Sequence, residues 1–428
     1  MSLVEQHKTR ASELRSFRSA WAATGDRAAA SFQSPLRASG SARPLDIVVP
    51  IHSFDPGGVE RVALALALEW KKAGHNVTVV LGRNAGADRD LAPELDYWRM
   101  DSAVDTAGFE TIWMISCLYR YLQGSPADVV FCAGNTYAIV GAAVRGLLGE
   151  QCPPLMLKIS NDLQRRDMNP VFRAAYGLWL TAQGLIFDRF ISMASAMVPE
   201  IVKTSGVSAN RVSVVGDASI SNARLETLAA LPPRAKSPWG THYVAVGRLA
   251  GQKNVALMIK AFARQARPGD KLTIAGEGPD RKALEALIAK LGMADRVCLK
   301  GHLLCTDALL AEADAFVLSS DYEGLPAVIV EALAAGLPIV ATDCSSAMSS
   351  LLDGGRQGIL VPIGDEAALS AALNGIRDFA FDRDMSRRMA ANYTLERAAQ
   401  QYLAVMADVV SERVASAAPY PAAVGLSA

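Results

Sequence analysis

Two glutamates, Glu323 and Glu331, lie eight positions apart in a largely apolar segment with the sequence DYEGLPAVIVEALAAGLP (residues 321–338). Pro326 suits the first turn of a helix, where its missing N–H would have had no partner. Glu323 is then in the loop before the helix, and Glu331 lies about one and a half turns into it. A buried carboxylate is costly unless it is paired, and the hydroxyl groups of a bound ligand would pair it. The alternative is that Glu323 caps the helix and Glu331 is an exposed helix charge.

Two cations form a second group of residues that could do chemistry. Arg248 and Lys253 lie in the segment VGRLAGQKN (residues 246–254), directly after a strand-like run and before a helical pattern. Acidic residues normally favour a helix N-terminus, because the helix dipole is positive there. Two cations at this place therefore indicate a bound anion, such as a diphosphate, between them and the helix. The alternative is a pair of solvated surface charges.

A pair of glycines follows the first strand-like run of the chain, in the segment DPGGVE (residues 55–60). Because Gly57 and Gly58 have no side chains, an anion could approach their backbone closely. The segment could equally be an ordinary turn between a strand and a helix. In open α/β sheets ligands bind beyond the carboxyl ends of the strands, which is where all three segments fall.

The elements that must position these residues are short β-branched runs, separated by segments long enough for a helix. This alternation predicts buried parallel strands joined by right-handed crossovers. The predicted strands of a first series are LDIVVPI (45–51), NVTVVLG (76–82), ADVVFCAG (127–134), LMLKIS (155–160) and DRFISM (188–193). Those of a second series are HYVAVG (242–247), KLTIAG (271–276), RVCLKG (296–301), AFVLSS (315–320), PIVATD (338–343) and GILVP (358–362).

The predicted fold is α/β, with two doubly wound Rossmann-like domains that face a cleft. A chain of 428 residues is long for a single hydrophobic core, and a proline-rich polar segment separates the two series of strands. The predicted parts are a basic, loosely ordered leader (1–44), a first domain (45–222), a linker (223–239), a second domain (240–392), a C-terminal helix that packs back on the first domain (393–412) and a disordered tail (413–428).

The composition excludes some classes of function. Forty-three Lys and Arg residues offset 43 Asp and Glu residues, so there is no electrostatic argument for a nucleic-acid partner. The six cysteines show no C-x-x-C spacing for zinc and several lie in apolar runs, which indicates reduced, buried thiols and a cytoplasmic protein. No apolar run reaches the ~20 residues needed to cross a bilayer. The D-x-D sequences at 88–90 and 382–384 lie in polar connections, where we expect solvated charges rather than a metal site.

Three of these segments resemble motifs of one family, the GT-B glycosyltransferases, and specifically the retaining enzymes of family 4. EGLPAVIVEA resembles the E-x7-E motif of that family, GRLAGQKN resembles its G-R-L-x-x-x-K segment, and DPGGVE resembles its N-terminal glycine loop. The resemblance runs from about residue 45 to residue 410. Its most specific part is AEADAFVLSSDYEGLPAVIVEALAAGLPIVATD (residues 311–343).

The resemblance implies a role for each segment. Arg248 and Lys253 would hold the diphosphate of a nucleoside diphosphate sugar and stabilise the charge that develops when the sugar leaves. Glu331 would bind the ribose hydroxyls, and Glu323 the transferred sugar. The other positions implied in donor binding are Gly57 and Gly58, from the first domain, and Gly324, Leu325 and Pro326, between the two glutamates. The loops GEGPDR (276–281) and LKGH (299–302) resemble family loops near the base.

The implied enzyme is a retaining, metal-independent hexosyltransferase without a cofactor. Its donor would be a UDP- or GDP-sugar and its acceptor a glycan or a lipid-linked glycan, in the synthesis of a surface polysaccharide or glycolipid. A glycoside hydrolase and a non-catalytic binder of nucleotide sugars are the alternatives, although a hydrolase has no need of Arg248 and Lys253 beside a glycine loop. A dinucleotide oxidoreductase is disfavoured, because no G-x-G-x-x-G follows the first strand of either domain.

The acceptor side departs from the family pattern. The segment KISNDL places Asn161 where many relatives have a histidine that contacts the sugar, with Asp162 beside it. Both residues are candidates for a sugar or acceptor contact. Because asparagine cannot become a cation, acid catalysis at this position is not expected.

A basic and aromatic segment, residues 163–190, follows directly. Such a helix suits the surface of an anionic membrane, on the inner face of the cell membrane if the protein is cytoplasmic. The alternative is a helix that faces the core of the first domain, and residues 109–122 raise the same two interpretations. The residues behind this expectation are Arg165, Arg166, Val171, Phe172, Arg173, Tyr176, Leu178, Trp179, Leu180 and Arg189.

Overall fold

Two parallel β-sheets with helices on their faces make up the computed structural model. It describes residues 43–55, 57–160, 163, 169–232 and 239–417. The predicted leader up to residue 42, both candidates Asn161 and Asp162, and the last eleven residues (418–428) lie outside the described residues. So do residues 233–238 of the predicted linker.

The first sheet has seven strands in the order β3-β2-β1-β4-β5-β6-β7, and every neighbouring pair is parallel. Its strands are β1 (Asp46–Ile51), β2 (Asn76–Leu81), β3 (Asp96–Trp98), β4 (Val129–Cys132), β5 (Leu155–Ile159), β6 (Arg189–Ser192) and β7 (Val212–Val214). The helices along this part of the chain are α1 (Gly58–Lys72), α2 (Glu110–Gly124), α3 (Ala138–Leu148), α4 (Pro170–Ile186), α5 (Val198–Ser205) and α6 (Asn222–Ala229).

The second sheet has six parallel strands in the order β10-β9-β8-β11-β12-β13. Its strands are β8 (His242–Val246), β9 (Lys271–Ala275), β10 (Val297–Gly301), β11 (Ala315–Leu318), β12 (Ile339–Thr342) and β13 (Gly358–Val361). The helices are α7 (Val255–Gln265), α8 (Arg281–Lys290), α9 (Asp307–Ala311), α10 (Ala327–Ala334), α11 (Met348–Leu351), α12 (Glu366–Gly375), α13 (Arg383–Ala390) and α14 (Leu395–Ala417).

The predicted fold class is confirmed, and each predicted strand is present in its sheet. Central strands such as β4 and β11 are buried along their whole length, because helices cover both faces of the sheet. Two strands of the first sheet, β3 and β7, were not predicted. Each has three residues and lies at an edge of the sheet, so neither shows a long β-branched run.

The carboxyl ends of the two sheets meet at Gly324, in the loop that follows β11. A Cβ atom on Gly324 would lie 2.3 Å from the backbone oxygen of Ser160, which follows β5, and 3.0 Å from the side chain of Met193. Only a residue without a side chain allows this approach. The two domains therefore face one another across a cleft that the loops after their strands enclose.

One predicted boundary is wrong, and the predicted linker contains a helix that was not expected. No periodic pattern was expected across the linker, but Asn222–Ala229 form helix α6, with the Ser221 hydroxyl as its N-cap acceptor from Arg224 N. The predicted tail was expected to be irregular from residue 413, but α14 continues to Ala417. A short helix between two domains is stabilised mainly by its tertiary contacts, and a pattern of apolar residues in the sequence does not reveal those contacts.

Helix α14 packs against α1 of the first domain. The indole Nε1 of Trp70 donates to the backbone oxygen of Ala399 at 3.1 Å, and the rings of Trp70 and Tyr402 meet edge to face at 5.8 Å. Arg189 at the start of β6 also bonds Glu412 at 2.7 Å. The last helix thus crosses from the second sheet back to the first.

Helix α4 shows features of both interpretations of the basic and aromatic segment. Leu180 and Gln183 are buried, and Trp179 packs against the core. Leu178 and Leu185 on the opposite side and Phe172 near the start of the helix are exposed, at 75%, 87% and 67%. Among the described residues, no helix is both long and apolar enough to cross a bilayer.

Candidate functional site

The loop between β8 and α7 is fixed by hydrogen bonds to the loop after β11. Asn254 adopts a left-handed conformation with φ of 43° and caps α7 through its side chain. The same side chain donates to the Asp321 carboxylate at 2.8 Å, while the Ser319 hydroxyl bonds the backbone oxygens of Lys253 and Asn254. Two of the sequence-predicted segments are therefore held side by side.

Lys253 and Glu323 form an ion pair within this arrangement. Lys253 Nζ lies 2.5 Å from Glu323 Oε1, which also accepts a hydrogen bond from the Ser320 hydroxyl at 2.7 Å. Only 21% of the lysine side chain and 11% of the glutamate side chain are exposed. The alternative in which Glu323 caps the following helix is wrong, because α10 begins at Ala327 without a side-chain cap.

Pro326 therefore occupies the N-cap position of α10, one residue earlier than predicted. Gly324, Leu325 and Pro326 are all buried. The backbone N–H groups of Gly324 and Leu325 donate to no acceptor within the described part of the chain. Unpaired N–H groups beside a helix N-terminus can bind an anion.

Arg248 differs from Lys253 in having no charged or hydrogen-bonding partner among the described residues. Its side chain is exposed and lines a cavity of about 420 Å3 at the carboxyl end of β8. The two loops that resemble family loops near a base contribute to the same cavity. Its lining residues are Val246, Gly247, Arg248, Ala275, Gly276, Glu277, His302, Leu303 and Thr306.

The wall of this cavity depends on a close approach of two backbones. Gly276 has φ of 152°, and a Cβ atom there would lie 1.8 Å from the backbone oxygen of Gly247. A Cβ atom on Gly278 would lie 2.1 Å from the backbone oxygen of Leu249. The GEGP sequence is thus required by the packing of the two loops, and its backbone is rigidly placed beside Arg248.

Glu331 lies in the fifth position of α10, as predicted, but a side chain of the protein pairs it. Arg224 Nε lies 3.9 Å from Glu331 Oε1, and 26% of the glutamate side chain is exposed. Arg224 is thus a partner within the protein for a carboxylate that is also expected to pair with ligand hydroxyls, and the alternative of an exposed helix charge is wrong. Burial raises the pKa of Glu331, which Arg224 partly opposes and Asp307 reinforces.

The glycine pair begins α1, on the first domain. The Glu60 carboxylate folds back over Gly57, so that a Cβ atom on Gly57 would lie 2.2 Å from Glu60 Oε2. Tyr137 donates to the other carboxylate oxygen at 3.0 Å. Gly58 has nothing within 4 Å of its missing Cβ atom. An anion could therefore approach at Gly58, whereas at Gly57 a carboxylate of the protein is already present.

His52 is a second polar residue at this edge that the sequence did not single out. Its imidazole is 6% exposed, stacks on Tyr137 with ring centroids 4.7 Å apart, and has no partner for Nε2 among the described residues. Burial lowers its pKa. Its position one residue after β1 was the available signal, since the predicted ligand edge begins there.

Three of the four carboxylates of the two D-x-D sequences, Asp90, Asp382 and Asp384, are exposed as expected, whereas Asp88 is not. Asp88 is buried and accepts two hydrogen bonds from Arg61, at 2.7 and 2.9 Å. Asp382 caps α13 by accepting from the backbone N–H of Met385 at 2.9 Å. Both carboxylates have structural partners. In the part of the chain that the structure describes, no three His, Cys, Asp or Glu side chains converge as a metal site.

The chain matches two family models. The model described as Glycosyltransferase Family 4 matches residues 56–217, and the model described as Glycosyl transferases group 1 matches residues 240–394. The two matches do not overlap, and together they span most of both domains. They place the boundary between the domains in the same part of the chain as the two sheets do.

Solved structures with the same fold cover most of this chain. A lipopolysaccharide outer core galactosyltransferase in its apo form superposes with a TM-score of 0.69 and 20% identity, over 85% of this chain and 100% of that one. The Anabaena protein HepE in complex with UDP-glucose superposes with a TM-score of 0.61 and 18% identity, over 87% of this chain and 100% of that one. The fold is thus the GT-B fold.

Curated relatives are similar over a shorter part of the chain. A lipopolysaccharide core biosynthesis glycosyltransferase of Rhizobium meliloti is 34% identical over 147 residues, which are 34% of this chain and 42% of the relative. The chain spans less than half the length of the first curated relatives that it matches. Taken with the two family models, the fold and the motifs, the chain belongs to the GT-B glycosyltransferases of the family 4 type.

Proposed function

We propose that this protein transfers a hexose from a nucleoside diphosphate sugar to a glycan or a lipid-linked glycan, with retention of anomeric configuration and without a metal ion. The observation that carries the proposal is Arg248, an exposed cation without a partner among the described residues, at the mouth of a cavity of about 420 Å3. An exposed cation at the end of a strand, beside a cavity, is better explained by a bound diphosphate than by a structural role.

The positive charge around the proposed diphosphate has three sources. Arg248 and Lys253 lie on one loop, and the N-terminus of α10 adds the N–H groups of Gly324 and Leu325, which have no acceptor among the described residues. When the bond to the sugar breaks, the departing diphosphate gains negative charge, which such fixed donors stabilise. This supply of charge is the reason for proposing a reaction that needs no metal ion.

The donor proposed first is a UDP-sugar, because HepE is described in complex with UDP-glucose and a lipopolysaccharide core galactosyltransferase has the same fold. A GDP-sugar is the second candidate. A thermal-shift screen of both nucleotide sugars decides between them, since a ligand at 100 times its Kd adds about 2.7 kcal/mol of stability. The matched control is R264A, which removes an exposed arginine of α7 that does not line the cavity.

R248A provides the direct test of the proposed donor site. We expect it to lower kcat/KM roughly 10- to 100-fold, the equivalent of one lost charge-assisted contact. Because Arg248 has no described partner to lose, the melting temperature should not change. Wild-type turnover by R248A would reject the diphosphate assignment.

The rival functions predict different products from the same incubation. A transferase hydrolyses the nucleotide sugar slowly alone and turns it over quickly when an acceptor is added. A glycoside hydrolase would release sugar from a glycan without any nucleotide, and a non-catalytic binder would give a thermal shift without turnover. Retention is tested by NMR of the anomeric proton in the product, and metal independence by activity that persists in EDTA.

The proposed acceptor is lipid-linked because of the apolar side of α4. Phe172, Leu178 and Leu185 are exposed on the domain that does not carry the cavity. The similar protein from R. meliloti is a lipopolysaccharide core biosynthesis glycosyltransferase, which supports a glycolipid acceptor here. Exposed apolar side chains on a surface helix suit the interface of an anionic membrane. We propose that the protein acts peripherally on such a membrane.

A further inference from the structure

Arg224 belongs to helix α6, outside both sheets, yet its guanidinium ends among residues of the second domain. It donates to the Asp307 carboxylate, and Nη2 lies 2.9 Å from the hydroxyl of Thr306. Its Nε is 3.9 Å from Glu331 Oε1. Only 24% of the side chain is exposed, so most of its length is covered.

Two of these three contacts belong to the proposed donor site. Thr306 lines the cavity of about 420 Å3 that also exposes Arg248. Glu331 is the residue to which the family resemblance gives the ribose hydroxyls. Arg224 is thus in contact with one wall of the cavity and with the carboxylate proposed to bind the ribose.

Helix α6 is held at both ends by other parts of the chain. The backbone N–H of Asn222 donates to the Glu396 carboxylate at 2.9 Å, at the start of α14. After the helix, the backbone oxygen of Leu231 accepts from Arg383 at 2.8 Å and from Arg387 at 3.4 Å. The position of Arg224 is therefore set by elements that run between the two domains.

The charges around Glu331 give Arg224 a defined effect. The described groups that act on this carboxylate are Arg224 from α6 and Asp307 from α9. Without the guanidinium, two carboxylates would face each other in a largely buried place, which favours protonation of one of them. A protonated Glu331 would accept fewer hydrogen bonds from ligand hydroxyls.

We propose that Arg224 is a positioning residue of the donor site, which pairs with the Glu331 carboxylate and holds it oriented toward the two ribose hydroxyls. The inference rests on the proposed function, because it takes the cavity to bind a nucleotide. It goes beyond that function by making ribose recognition depend on a residue carried by the segment that joins the domains. Loss of Arg224 should therefore affect the ribose contact and leave the diphosphate contact unchanged.

The test compares two ligands by calorimetry, UDP and its 2′,3′-dideoxy analogue, with the GDP pair used in the same way. R224M should weaken UDP binding about tenfold and leave the dideoxy analogue nearly unchanged, as expected for a coupling between neighbouring groups. R224K keeps the positive charge and should recover part of the loss. In an E331Q background, R224M should change UDP affinity less than twofold.

A pH series adds a readout that a purely structural role would not affect. Since Arg224 lowers the pKa of Glu331, R224M should raise it. As the pH is lowered, the UDP affinity of R224M should therefore begin to fall at a higher pH than the UDP affinity of the wild type. D307N removes the opposing carboxylate, and it should keep or increase UDP affinity.

Each contrary result has a distinct meaning. Equal losses for UDP and the dideoxy analogue, or a full tenfold effect of R224M in the E331Q background, would overturn the role of Arg224. If R224M does not fold, R224K and D307N still decide, because a structural cluster predicts that both weaken both ligands. If the folded wild type binds neither UDP nor GDP, the proposed function itself is wrong, and the inference fails with it.

Discussion

Lys253 Nζ lies 2.5 Å from Glu323 Oε1, so the cation predicted to hold a diphosphate is paired with the carboxylate predicted to hold the sugar. The two residues come from loops that are 70 positions apart in the sequence and adjacent at the carboxyl end of the sheet. A diphosphate that binds Lys253 must share the lysine with Glu323 or displace the Glu323 carboxylate. In the proposed site, the pair would therefore connect donor binding to the position of the carboxylate beside the transferred sugar.

The first prediction separates the structural and the functional role of this pair. K253A should lower kcat/KM roughly 10- to 100-fold through the lost contact to phosphate. It should also lower the melting temperature, because it leaves the Glu323 carboxylate, which is 11% exposed, without its cation. The double variant K253A/E323Q should regain the melting temperature but not the activity.

The measurements are a thermal melt and steady-state kinetics on the three variants K253A, E323Q and K253A/E323Q. Arg264, an exposed cation on α7, serves as the control through R264A. If the double variant regains both stability and turnover, the lysine is a structural partner of Glu323 and not a ligand of the diphosphate.

The second prediction concerns pH and Glu331. Burial raises the pKa of Glu331, the Arg224 guanidinium lowers it in part, and Asp307 raises it again. With a folded-state pKa above the ordinary 4.5, the folded protein binds this proton more tightly than the unfolded chain. The resulting stability is fully present below pH 4.5 and is lost as the pH rises through the folded-state pKa.

E331Q does not titrate, so its free energy of unfolding relative to the wild type should increase from pH 4.5 toward neutrality. Urea unfolding at a series of pH values measures this difference. UDP binding should weaken in the same variant, since an amide NH2 replaces one of the two acceptor oxygens. A stability difference that is constant across the series would contradict the raised pKa.

Much of the fold could be predicted because parallel strands buried on both faces have a simple sequence pattern. Runs such as VVFC in β4 and AFVL in β11 are apolar throughout, and the helical segments between them fix the crossovers. The edge strands β3 and β7, with three residues each, carry no such signal. The helix α6 was hidden for a related reason, since eight residues of low apolar periodicity lie beside a run of prolines.

Site residues could be predicted where they lie together in one segment of the sequence, as the two glutamates and the two cations do. Contacts between segments were not predictable. Nothing in the sequence near Arg224 indicates that its guanidinium reaches Glu331, and nothing near Gly57 indicates that Glu60 covers it. Such pairs follow from the packing of elements that a single sequence does not specify.

The third prediction uses the two glycines of α1 as a matched pair. G58A places a methyl group in open space, so the free energy of unfolding should stay the same or rise by up to about 1 kcal/mol. If a phosphate approaches this backbone, kcat/KM should fall all the same. G57A should displace the Glu60 carboxylate, whose Oε2 would lie 2.2 Å from the new Cβ atom, and should change the melting temperature little because the end of a glutamate side chain can move.

Thermal melts and donor kinetics on G57A and G58A therefore distinguish the two interpretations of the DPGGVE segment. Reduced turnover in a G58A protein of unchanged stability supports an anion at the loop. Unchanged turnover shows that the segment is an ordinary turn between β1 and α1.

The last prediction concerns the exposed side of α4. The triple variant F172S/L178S/L185S removes three side chains that are 67%, 75% and 87% exposed, so the melting temperature should hold. If these three side chains enter the lipid interface, the triple variant should bind vesicles of anionic phospholipid much more weakly than the wild type. Each large apolar side chain contributes about 1.5–3 kcal/mol when buried. Transfer to a water-soluble acceptor analogue should persist.

Two control variants make the vesicle experiment decisive. L304S removes a leucine that is 98% exposed on the second domain, and it should not change vesicle binding. W179S removes a side chain packed against the core, and it should destabilise the protein by a few kcal/mol, roughly 3–5 for complete truncation of a buried tryptophan. Vesicle binding that is equal in the wild type, the triple variant and L304S would exclude α4 as a membrane surface. A wild type that binds no anionic vesicles at low salt would make a soluble acceptor the better proposal, because the exposed apolar side of α4 would then have no lipid to contact.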